Sequence, residues 1–290
     1  MSTMHRRIGD RKDGKLLREL DSLHFITGIL YPNRCDNEAY ISETIVLDPI
    51  NAYLDKKNAQ STDFKYTLFH VIVAAMIRVL TLRPKMNTFI ANKNIYQRKG
   101  VSASFVVKKE FSDHGGEALA IVRAKDDSTV DTIHDEIYRQ ITDCRSDKLD
   151  SSTESMDIFN RIPRFLSRFV VWFITRLDVH GWVPASLIES DPYYSSVVLS
   201  NVGSIHIKSG YHHLTNWGTC SVFCLIGEKK HRPIFADDGT YEMKLTVPIG
   251  LTIDERLADG YYYSKSIRLL KHLLTHPELL EQPANQPVDY

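Results

Sequence analysis

Apolar and polar positions along the chain alternate between a helical and a strand-like period. The clearest helical stretch carries Leu68, Val71, Ile72, Ala75, Val79 and Leu82 on one repeat, with Thr67 placed to cap it and Pro84 to stop it. An amphipathic helix is predicted over 129–142 through Val130, Ile133, Ile137 and Ile141. Further helices are expected over 48–56, over 159–177 with Pro163 tolerated in the first turn, and over 265–274. Short β-rich runs predict strands at 24–30, 40–46, 89–96, 102–108, 118–122, 197–199, 221–226 and 243–253. Pro32-Asn33 and Gly115-Gly116 read as turns, 11–20 as an arm or short helix, and the polar run 143–157 as a loop dividing the chain into halves. The Pro-rich end after Gln282 reads as extended. No internal repeat and no regular βαβ rhythm is present, so the pattern predicts an α/β two-layer sandwich with a mixed β-sheet covered by helices.

Composition narrows the class without naming it. Hydrophobic residues at 43% and charged residues at 25% describe an ordinary globular chain, and 290 residues suffice for a substantial core. Lys+Arg and Asp+Glu balance at 36 each, so no net charge points to nucleic acid. No apolar run has the length of a transmembrane segment and no signal-peptide core is visible, which leaves a cytoplasmic, reduced protein as the expectation. Cys220 and Cys224, at strand spacing, are expected on one face as small buried apolar residues; no metal site is expected.

The candidate chemistry lies near the end. Leu251-Thr252-Ile253-Asp254-Glu255-Arg256-Leu257-Ala258-Asp259-Gly260 resembles the L-S-F-D-H-R-x-x-D-G signature of the acyltransferase catalytic domain of 2-oxo acid dehydrogenase complexes and of chloramphenicol acetyltransferase. Leu199-Ser200-Asn201-Val202-Gly203 resembles that superfamily's I-S-N-L-G strand end. The stretch from Leu225 to Pro233 resembles its strand and hairpin ending in R-P, and His276-Pro277-Glu278-Leu279-Leu280 its closing segment. His24-Phe25 and Arg83-Pro84-Lys85-Met86-Asn87 carry the likeness into the first half. The resemblance implies a chloramphenicol acetyltransferase-like catalytic domain over 21–283, an arm over 1–20 and a tail over 284–290. It also implies coenzyme A or acyl-CoA as co-substrate, a small-molecule acyl acceptor, and a homotrimer with each site at a subunit interface. A stand-alone member is expected, with no lipoyl or subunit-binding domain ahead of it. Its region 159–194 and its Tyr211-His212-His213 element mark a separate branch.

By the same resemblance Ser200 donates to the oxyanion, Asp259 supports local structure, Gly260 lets the chain turn into the next helix, and Glu255 stands where the catalytic His is expected. Asn201, His212 and His213 are the candidate substrate-binding residues. A thiol has a pKa of about 8.5, His about 6.5 and Glu about 4.3, so proton transfer to Glu is roughly 3 kcal/mol less favourable than to His. Three readings stay open: Glu255 is a base with a raised pKa, the base has moved to His212 or His213, or the site has lost or changed its chemistry, the loss leaving a non-catalytic trimeric binding or scaffold protein. Plainer roles stand beside them, with Glu255 as a turn residue paired with Arg256 or Arg268 and Ser200 bonding backbone at a strand end. The Arg161/Arg164/Arg168 side of the helix over 159–177 is a solvated face, a contact for coenzyme A phosphates, or, beside Phe165, Phe169 and Trp172, a face for an anionic membrane surface.

Overall fold

The computed structural model describes residues 7–59, 64–108, 117–145 and 161–290. The Gly115-Gly116 turn, residues 146–157 of the dividing loop and the predicted helix start at 159 lie outside the described residues. The elements run β1 (Gly14–Leu16), α1 (Ser22–Leu30), β2 (Glu38–Val46), α2 (Asp48–Ala59), α3 (Leu68–Leu82), β3 (Thr88–Ala91), β4 (Asn94–Arg98), β5 (Val101–Lys108), β6 (Glu117–Ala124) and α4 (Val130–Arg145). After residue 160 come α5 (Arg164–Val179), α6 (Ala185–Ser190), β7 (Val197–Asn201), β8 (Val222–Ile226), β9 (Lys230–Phe235), β10 (Tyr241–Asp254) and α7 (Gly260–Thr275).

One mixed sheet organises the molecule. Its order is β2-β10-β8-β7-β5-β6, with β9 paired to the first half of β10. β7 runs parallel to both β5 and β8, and every other pairing is antiparallel. Helix α3 is the centre of the helical layer. Its residues are buried almost all round, Val73, Ala74 and Ile77 as well as the predicted stripe, because it is packed between the sheet, α4 and α7. Even Arg78 is buried there, its guanidinium donating to the carbonyls of Leu279 and Gln286 and so holding the end of the chain against the helix. Ala284, in the expected tail, is itself buried and donates to the carbonyl of Ser128.

Four local expectations are overturned. Residues 24–30 are helical, not a strand. The Asp21 carboxylate accepts from the backbone N–H of Leu23 and His24 at 3.1 and 3.0 Å, and that cap starts α1 despite the β-branched and aromatic content that suggested a strand. Residues 89–96 are two strands rather than one. Asn92 and Lys93 take positive φ of 47° and 62°, the conformation that closes a two-residue hairpin between β3 and β4. Part of the expected arm, Gly14–Leu16, is a strand on β4. Cys220 and Cys224 occupy different hydrophobic clusters, because β8 begins only at Val222 and its alternation does not extend back to Cys220. Both thiols are buried and reduced, and burial pushes Cys224 up to about 12.

Candidate functional site

Glu255 stands on a turn built from buried charge. Asp254, at the end of β10, is fully buried and receives Arg256 in a two-pronged pair, Nε to Oδ1 at 2.8 Å and Nη2 to Oδ2 at 2.6 Å. Arg256 also donates to the carbonyl of Tyr31 at 2.6 Å. Arg34 approaches the same carboxylate at 3.8 Å and donates to the carbonyls of Thr215 and Gly218. Burial lowers the Arg34 guanidinium despite the carboxylate beside it. The Tyr263 hydroxyl donates to the Asp254 carbonyl at 2.7 Å, and the Glu255 N–H donates to the Asn37 carbonyl at 3.0 Å. Every neighbour of Glu255 is thereby tied down, while its own side chain is exposed and has no hydrogen-bond or ion-pair partner among the described residues. Arg256 is spent on Asp254, so the pairing of Glu255 with Arg256 does not form.

Asp259 is also exposed and caps α7, its carboxylate accepting from the Tyr262 N–H at 2.7 Å. Gly260 has no positive φ, and a Cβ there would meet nothing within 4 Å, so the turn into α7 does not require glycine. The extended backbone and carboxylate of Asp259 make that turn instead. A cavity of about 240 Å³ opens here, lined by His24, Thr27, Asn37, Glu255, Asp259 and Gly260. His24 was read in the sequence only as part of a match, yet it brings an imidazole to this cavity. Its Nδ1 meets the Asp21 carboxylate at 2.6 Å, which leaves Nε2 for other partners.

Ser200 lies at the other end of the sheet. It pairs with Leu225 of β8, and Leu225 pairs with Gly250 of β10, five residues before Glu255. Strand geometry therefore separates Ser200 and Glu255 by roughly 17 Å along the strands and roughly 10 Å across them. Close backbone packing sets the Ser200 turn: a Cβ on Gly203 would fall 2.3 Å from the Gly227 carbonyl oxygen, and one on Gly227 would fall 2.2 Å from that of Lys208. Ser200 is half-buried and its hydroxyl has no partner among the described residues. It lines a cavity of about 520 Å³ together with Asn201, His212, Phe69, Phe105 and Ile137. His212 stacks on Phe223 with ring centroids 4.2 Å apart, and its Nδ1 lies 2.9 Å from the His213 carbonyl oxygen. A carbonyl only accepts, so Nδ1 carries the proton and Nε2 is the basic nitrogen. His213 makes the same kind of bond to the Leu214 carbonyl at 2.7 Å and lines neither cavity.

His70 lines the Ser200 cavity as well and was not singled out in the sequence. It is buried among Phe64, Tyr66 and His134, and its Nδ1 accepts from the Thr67 N–H at 3.0 Å. Burial, aided by His134, lowers its pKa to about 3. The only sequence signal was its position three residues after the cap of α3. Among the described residues, no group of three or more His, Cys, Asp and Glu side chains could hold a metal ion.

The structure thus groups Ser200, Asn201 and His212 in one cavity and Glu255 and Asp259 in another. Residues 186–281 match the family model for the 2-oxoacid dehydrogenases acyltransferase (catalytic domain). No curated protein matches the chain. Among solved structures, the dihydrolipoamide acetyltransferase of Azotobacter vinelandii aligns at 15% identity and TM-score 0.60, covering 91% of this chain and 93% of that one. A truncated catalytic core of the 2-oxoacid dehydrogenase multienzyme complex from Thermoplasma acidophilum aligns at 15% identity and TM-score 0.56, covering 91% and 99%. A chloramphenicol acetyltransferase aligns at 12% identity and TM-score 0.55, covering 90% and 99%. The chain has the chloramphenicol acetyltransferase-like fold over nine-tenths of its length, and the match to the acyltransferase catalytic-domain family is confined to residues 186–281.

Proposed function

We propose that this protein transfers an acyl group between coenzyme A and a small hydroxyl, amine or thiol acceptor, at sites that form only between protomers of a homotrimer. One observation carries the reading. The two groups that the resemblance places in a single catalytic centre, Ser200 and Glu255, stand at opposite ends of one sheet, each free of partners and each on an open cavity. Apposing the Ser200 end of one protomer to the Glu255 end of the next completes a site. Exposed Leu23, Phe25, Ile26 and Leu30 on α1, beside the Glu255 cavity, supply apolar surface that such a neighbour would cover.

In this site the Ser200 hydroxyl donates to the oxygen on which negative charge develops, a type of contact worth several kcal/mol in a dry site. Glu255 takes the proton of the attacking acceptor and returns it to the departing coenzyme A thiolate, in a site from which a covering neighbour excludes water. Asp259 holds the start of α7 and with it the Glu255 turn. The apolar walls given by Phe69, Phe105 and Ile137 suit the pantetheine arm, and Lys108 lines the same cavity with a charge suited to phosphate. A second reading has a specific observation behind it: His212 shares the Ser200 cavity and presents a basic Nε2, so it is the alternative base.

Transfer from a panel of acyl-CoA thioesters distinguishes these readings. Glu255→Gln is expected to lower kcat by roughly 10²–10⁴-fold while His212→Gln changes it little. The reverse pattern moves the base to His212. A wild-type protein that binds acyl-CoA without turnover, and gains turnover only as Glu255→His, is a binding protein on an acyltransferase fold.

A further inference from the structure

Helix α5 (Arg164–Val179) contains no buried residue. Phe165, Phe169 and Trp172 fall at i, i+4 and i+7 on one stripe, flanked by Leu166 and Phe173, and these five side chains are 40–75% exposed. Phe169 and Trp172 lie against each other with ring centroids 5.8 Å apart. Arg164 and Arg168 border the stripe on one side, and Arg176 ends it one turn beyond Trp172. All three arginines are exposed and have no carboxylate partner among the described residues. The one acid of the helix, Asp178, is half-buried and committed to Arg11 at 2.8 Å. That contact, with Lys12 donating to the Val183 carbonyl at 2.9 Å, anchors the C-terminal end of the helix to the domain. Trp182, 65% exposed, lies just beyond that anchor.

We propose that α5 is a membrane-surface helix that docks the protein on a bilayer rich in anionic lipid. The apolar stripe is aromatic, and its border is cationic with no free acid among the described residues of the helix, the complement of acyl chains beneath anionic headgroups. At 16 residues the helix spans roughly 24 Å, short of the roughly 30 Å hydrocarbon core, so it lies in the interface and does not cross it. Charge also selects the occupant. Packing α5 of one copy on α5 of another would bring Arg164, Arg168 and Arg176 together with their counterparts and with no acid between them, whereas an anionic surface pairs all three. The proposal does not depend on acyl transfer.

The test is co-sedimentation of the full-length protein with vesicles of phosphatidylcholine alone and of equal parts phosphatidylcholine and phosphatidylglycerol. Binding to the mixed vesicles, little binding to the neutral ones, release by high salt and a blue shift of tryptophan emission are expected. The triple variant R164Q/R168Q/R176Q should weaken binding by roughly 100-fold, and F169S/W172S should remove the blue shift. Both variants change exposed side chains, and thermal unfolding verifies that they fold. The triple arginine variant alone decides the matter if F169S/W172S is destabilised. Failure to bind mixed vesicles, equal binding to neutral ones, or binding indifferent to the arginine variant would overturn the proposal. So would a lipid-free change of oligomer size in F169S/W172S by sedimentation velocity, which would assign the stripe to a contact between copies.

Discussion

The two ends of the sheet solve the problem of presenting a reactive group in different ways. At the Glu255 end, a buried carboxylate between two arginines locks the chain, and the exposed Glu255 rides on that frame. At the Ser200 end, the frame is apolar and backbone-tight, with Gly203 against Gly227 and His212 laid flat on Phe223. One end is held by charge and the other by packing. They should therefore fail under different insults, and each leaves its functional group without a partner inside one protomer.

The largest effect is expected at the charged end. Arg256→Ala strands the buried Asp254 beside Arg34 alone and should cost about 3–5 kcal/mol in chemical denaturation, the usual penalty for breaking a buried pair from one side. A loss below about 1 kcal/mol would mean that the frame is not charge-held. Acid probes the other end next. His70 stays neutral in the folded protein down to about pH 3, whereas the unfolded chain takes up a proton near pH 6.5. The unfolded state binds more protons between those values, so the stabilisation is complete above pH 6.5 and is lost as pH falls toward 3. Up to about 3 kcal/mol should disappear between pH 6.5 and 4, and His70→Asn should flatten that slope. An unchanged slope would remove His70 from the acid response. The smallest effect belongs to the cap: Asp259→Ala should cost about 1 kcal/mol by thermal unfolding, and Gly260→Ala, with open space around it, should cost nothing.

Much of this was legible in the sequence. The α3 repeat, the strands of the second half and the fold class followed from periodicity and from the resemblance of residues 197–280. What was not legible depended on tertiary partners or on single caps. α1 looked like a strand because its apolar side stays uncovered and only Asp21 marks its start. The β3–β4 hairpin hid behind Asn92-Lys93, which carries no glycine to announce positive φ. Arg34 reaches Asp254 from 220 residues away in sequence, a contact no local pattern encodes. For the site, motif matching named Ser200, Glu255 and Asp259 and the resemblance implied a subunit interface, while the distance that keeps Ser200 from Glu255 within one chain came only from the register of β7, β8 and β10.

That separation is the centre of the account, and subunit complementation tests it. Ser200→Ala and Glu255→Gln proteins, each expected to be inactive alone in acyl transfer, are unfolded together, reassembled and assayed. If each site takes Ser200 from one protomer and Glu255 from the next, the mixture recovers about one quarter of wild-type activity, the chance that a random trimer interface pairs the two intact residues. No recovery above the parent variants, in mixed trimers verified by tagged co-purification, would contradict a site shared between protomers.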